Sequence, residues 1–93
     1  MRFYFCAIYD GAFHHSGCTI YPLKDRILVK FLFIPYWDIP YNSITQILLK
    51  RGNIRIEYKN RTGESYIEIR TSYSAYTKLE RELETKGFQI QYL

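Results

Sequence analysis

Apolar residues recur at every second position in two stretches late in the chain. Over "NIRIEYK", Ile54, Ile56 and Tyr58 fall on one side and Arg55, Glu57 and Lys59 on the other. Over "SYIEIR", Ile67 and Ile69 share one side. A period of two marks a strand with one buried face. A turn of four residues, Asn60-Arg61-Thr62-Gly63, would set Ile56 opposite Ile67, Ile54 opposite Ile69, Arg55 opposite Glu68 and Lys59 opposite Glu64. A slip of one residue would carry an isoleucine to the charged face, so burial selects this register.

Earlier segments read as strands by their branched and aromatic content. These are residues 2–9, "CTIYPL", "RILVKFLFI" and "ITQILLK". Lys24-Asp25 predicts a tight turn, and "DGAFHHSG" reads as an exposed loop. In "FIPYWDIPY", Pro35 is expected to end one long strand and Pro40 to start the next, with Tyr36 and Trp37 at the tip of a corner. From Ser72 the period changes. Tyr76, Leu79 and Leu83 lie at helical spacing, Ser72 or Ser74 can cap the start, and Gly87 with Phe88 suits a Schellman stop. A helix over about 73–86 is expected, followed by a short strand or tail at 88–93.

The fold class expected is α+β: a bent antiparallel sheet, or split barrel, capped by one C-terminal helix. A chain of 93 residues fits one domain, 1–93. Its hydrophobic content is 47% and its aromatic content 18%, enough for a folded core. No apolar run reaches the roughly 20 residues of a membrane span. Residues 2–9 carry two tyrosines and end at Asp10, so they read as a strand rather than a leader peptide. Two cysteines, Cys6 and Cys18, are too few for a disulfide framework and read as buried thiols of a cytoplasmic protein.

Charge changes the picture only locally. The segment from Lys50 to Arg61 carries a net +4, equal to the formal charge of the whole chain. In the expected register Arg55 and Lys59 face glutamates, leaving Lys50, Arg51 and Arg61 as the candidate anion- or lipid-binding residues. Candidate chemistry is sparse. Cys6, His14, His15 and Cys18 do not match a zinc spacing, so no metal or other cofactor is expected. Asp10, Ser16 and the two histidines crowd one loop without a triad arrangement. No phosphate-binding glycine loop and no small-molecule substrate site is evident. Tyr36, Trp37 and Tyr41 form an aromatic cluster that suits a protein partner, or rings that simply cover a barrel edge.

The succession "GCTIY", "DRILVKF", "IPYNSITQI", "NIRIEY", "YIEIR" and "YTKLERELETKG" resembles the pleckstrin-homology-like superfold, most closely its small bacterial PH-like and GRAM-like members. The likeness covers roughly Gly17 to Gly87. Residues 1–9 then form an extra N-terminal strand, free to pair with the tail or with another subunit. The resemblance implies a non-catalytic scaffold that binds proteins, binds phosphoinositides, or oligomerises. The first hairpin, with Lys24 and Arg26 around Asp25 and Lys30 beyond, lacks the dense basic pattern of a phosphoinositide reader. The expected function is protein interaction or self-association. The alternative is a membrane-peripheral domain that binds anionic lipid through Lys50, Arg51, Arg61 and Trp37. Nucleic acid is disfavoured because the aromatics sit mainly at inward strand positions.

Overall fold

A computed structural model describes residues 3–50 and 52–92. Its elements are β1 (Tyr4–Tyr9), β2 (His14–Pro22), β3 (Arg26–Phe31), β4 (Ile34–Pro40), a single 3-10 turn (Tyr41–Ser43), β5 (Ile44–Lys50), β6 (Asn53–Asn60), β7 (Gly63–Thr71), α1 (Tyr73–Thr85) and β8 (Ile90–Tyr92). The strands form one open, mixed sheet in the order β4-β3-β2-β1-β7-β6-β5-β8. All neighbours are antiparallel except β5 and β8. Two meanders, β1–β4 and β5–β7, meet where β1 pairs with β7.

The β6–β7 register is the one the alternation demands: Arg55 opposite Glu68, Ile56 opposite Ile67, Lys59 opposite Glu64. Asn60 also pairs with Gly63, so Arg61 and Thr62 alone make the turn. Inward residues from every strand of the two meanders, among them Ile8, Ile20, Val29, Ile39, Ile47, Ile56 and Ile69, join Leu79 and Leu83 of the helix in one core. Ser72 caps α1 by accepting the Ala75 N–H at 3.2 Å. The helix ends as a Schellman turn: Phe88 N–H donates to Leu83 O and Gly87 N–H to Glu84 O. Phe88 packs on the core, and the tail continues as β8 along β5. Tyr92 Oη then reaches Glu80 on the helix at 2.7 Å.

Three expectations need correction. First, β1 is not an extra strand with a free edge. It is interior, paired with both β2 and β7, because Cys6 and Ile8 supply inward side chains that the sheet needs to be continuous. Second, "DGAFHHSG" is not all loop. Only residues 10–13 turn, and β2 starts at His14. A register shift opposite Cys6–Ile8 lets His15 and Cys18, at odd spacing, both turn inward. Third, "FIPYWDIPY" is not a corner. The chain turns earlier, at Leu32-Phe33, and Ile34–Pro40 is itself the edge strand β4. An edge strand tolerates Pro35 and Pro40, which lack ladder donors and blunt the edge.

Candidate functional site

The turn at Leu32-Phe33 is the unusual piece of backbone. Phe31 pairs with Ile34 around it, so the loop has two residues. Both have positive φ, 52° at Leu32 and 66° at Phe33, the signature of a type I′ turn. Such turns ordinarily use Asn-Gly, since a side chain strains there. Here two large apolar residues occupy it. Strain of this kind, maintained by its surroundings, is a pointer to function.

Around this turn lies an apolar apex. Phe13, Leu32, Phe33, Ile34 and Tyr36 are 70%, 61%, 71%, 67% and 57% exposed. They come from the β1–β2 loop, the β3–β4 turn and the start of β4. Ring contacts join Phe13 and Tyr36 through His15, whose centroid lies 6.4 Å from Phe13, 5.2 Å from Tyr36, 5.1 Å from Phe31 and 5.0 Å from Trp37. His15 is itself buried, and its Nδ1 has no hydrogen-bond partner among the described residues. The Leu32 N–H donates to Gly17 O at 3.2 Å and ties the turn to β2.

The aromatic cluster expected from sequence is divided between apex and core. Tyr36 is exposed. Trp37 is 9% exposed and belongs to the core, because β4 alternation sends Trp37 and Ile39 inward. Tyr41 is a joint: its hydroxyl donates to Leu23 O at 2.7 Å, its ring meets Phe88 at 5.6 Å, and Lys86 Nζ lies 5.1 Å from its centroid. The structure therefore leaves Tyr36 as the surface contact of the three. Phe13, Leu32, Phe33 and Ile34 were not singled out from sequence.

The basic candidates are not brought together. Lys50 ends β5 beside the start of β6, whereas Arg61 sits in the turn at the other end of β6. Eight residues of strand separate them, roughly 23 Å. Arg51 lies outside the described residues. Arg55 forms ion pairs with Glu57 at 2.9 Å and Glu68 at 3.3 Å. Arg26 is held by Asp25 at 3.3 Å and Asp38 at 3.1 Å.

Cys6 and Cys18 face each other across β1 and β2, both buried and both free. Burial, and then the neighbouring Cys18, push the Cys6 thiol up to about 12 from its ordinary 9.0. Burial also raises Cys18, and a hydrogen bond with the Ile8 backbone lowers it in part. Both remain protonated thiols at pH 8, so the folded protein is expected to resist iodoacetamide there and to label at both cysteines in denaturant. Rapid labelling in the folded state would contradict their placement. A raised thiol pKa contributes stability below pH 9.0 that is lost as pH rises towards 12. Tyr41 acts in the same direction: burial pushes it up to about 12 from 10.0.

Among the described residues no group of three His, Cys, Asp or Glu side chains is placed to hold a metal ion. Among the described residues no helix is long and apolar enough to cross a membrane. Compared with known proteins, the chain matches no family model, no curated protein and no solved structure.

Proposed function

We propose that this chain is a non-catalytic interaction module of pleckstrin-homology-like layout. It docks a protein, in the first instance a second copy of itself, through the apex of Phe13, Leu32, Phe33, Ile34 and Tyr36. The observation that carries this reading is the strained turn that presents Leu32 and Phe33 to solvent. A fold that needs only a turn there has no use for two large side chains at positive φ. Large exposed apolar side chains gathered around one turn suit a binding face.

Self-association is favoured because the apex adjoins β4, whose other side has no neighbouring strand among the described residues. A two-fold pairing sets each copy's apex and edge against the same features of the other. Pro35 and Pro40 interrupt the edge donors, so side chains rather than a continued ladder make the contact. Adhesion to anionic lipid is the weaker reading. Among the described residues, Lys50 and Arg61 stand at opposite ends of β6 and Arg26 is ion-paired, so these three do not make a ring of free cations around the apex. Light scattering after size exclusion tests the proposal, which requires a dimer. A monomer that sediments with anionic vesicles at low salt would replace it with the lipid reading.

A further inference from the structure

We propose that the outer face of the sheet binds single-stranded nucleic acid, with Phe3 and Phe5 stacking on bases and Lys30 and Arg70 meeting phosphates. The inference does not rest on the apex reading.

The strand registers divide the side chains between two faces. Cys6, Cys18, Ile20, Val29 and Ile69 point to the core, where Leu79 and Leu83 of the helix join them. Their chain neighbours Phe5, Thr19, Tyr21, Lys30 and Arg70 therefore point the other way. Tyr4, Phe31 and Trp37 face the core, as expected of the aromatics, but Phe5 and Tyr21 do not, so inward parity no longer argues against nucleic acid. The open face of an antiparallel sheet ordinarily alternates to polar residues. Here it carries Phe5 at 67% exposed and Phe3 at 46%. The two rings meet edge to face at 5.6 Å, and Phe3 stacks on Tyr21 at 5.5 Å.

Other rings on this face hold the cations. Lys30 Nζ lies 4.9 Å from the Tyr21 centroid, and the Arg70 guanidinium 5.2 Å from that of Tyr9. Phe3 and Phe5 leave ring surface open to a base. The carboxylates of the face are matched: Glu57 and Glu68 pair with Arg55, Asp38 pairs with Arg26, and Glu64 stands opposite Lys59 in the ladder. Lys30 and Arg70 have no carboxylate partner among the described residues. Rings alone would suit any apolar partner. Free cations beside exposed rings suit a polyanion that carries flat apolar groups, which is a single strand of nucleic acid. A lipid surface would take a projecting tip, whereas β1 and β2 are interior strands.

A further observation points to a ligand between Phe5 and Lys30. Thr19 lies between them in the ladder. It is 2% exposed although it faces outward, and its Oγ1 has no hydrogen-bond partner among the described residues. A phosphate oxygen seated between Phe5 and Lys30 would accept from that hydroxyl.

The probes are labelled single strands of about ten nucleotides, oligo-dT, oligo-U and an abasic strand of the same length, read by fluorescence anisotropy. Saturable binding of a base-bearing strand is expected, about tenfold tighter than the abasic one. Tighter oligo-U would identify RNA as the ligand; tighter oligo-dT would identify DNA. Phe5→Ala is expected to weaken binding about tenfold. The ring is exposed, so the urea midpoint should stay near that of the parent. Lys30→Gln with Arg70→Gln is expected to weaken binding and to reduce the slope of log affinity against log salt by about 1.4. Equal binding of the abasic strand, or indifference to Phe5→Ala, would leave charge alone and overturn the proposal. Polyglutamate bound as tightly as the oligonucleotides would assign the face to an acidic protein instead. The absence of saturable binding at low salt would also overturn it.

Discussion

Leu83→Ala is expected to lower the unfolding free energy by about 2–5 kcal/mol, the range for emptying a packed leucine site. Leu83 has no exposed surface and sits in the core with Leu79. Its carbonyl also accepts the Phe88 N–H that ends the helix. The methyl groups lost therefore lie where the helix, its stop and the sheet meet, a place with little freedom to collapse. Small domains have roughly 5–15 kcal/mol in total, so the variant should be near the limit of folding. Urea denaturation measures this as a lower midpoint at unchanged slope. Glu84→Ala, one residue on and exposed, should stay within about 0.5 kcal/mol of the parent. A loss below about 1 kcal/mol for Leu83→Ala would mean that the helix is not seated on the sheet.

Where local pattern and burial agree, the chain could be read directly. The β6–β7 register followed from the placing of four isoleucines, and the helix end from Gly87-Phe88. The β3–β4 turn was not legible because Leu32-Phe33 carries none of the residues that such a turn prefers. A signal was nonetheless present. Pro35 follows Phe33 by two residues and is a poor neighbour for the middle of a sheet, although the parity of Ile27, Val29 and Phe31 carried on to Phe33 points the other way. Reading that run as one long strand moved the turn and placed Trp37 at a tip, whereas the real turn sends it into the core. His15 was missed for another reason. Its inward direction depends on the β1–β2 register shift, a tertiary feature with no local pattern of its own. The basic residues failed as a group because proximity in sequence along β6 is distance in space.

Replacing the turn, Leu32→Asn with Phe33→Gly, should separate stability from binding. Asparagine and glycine adopt positive φ readily, and a bulky residue there costs roughly 1–2 kcal/mol. Some of that gain is offset by losing the Leu32 contact over Gly17, whose Cβ position would lie 3.2 Å from Leu32 Cδ2. A net gain of about 1 kcal/mol is expected, seen as a higher urea midpoint. The same change removes two of the five exposed apex residues, at the centre of the proposed contact. A purely structural turn would give only the gain. An apex that binds gives the gain together with a loss of association, and no general unfolding can be blamed for that loss.

The most direct measurement is light scattering across a concentration series on the parent and on this turn variant. The interaction account predicts a concentration-dependent dimer for the parent and a monomer for the more stable variant. A parent that stays monomeric at the highest concentration, or a variant that dimerises as the parent does, would contradict it.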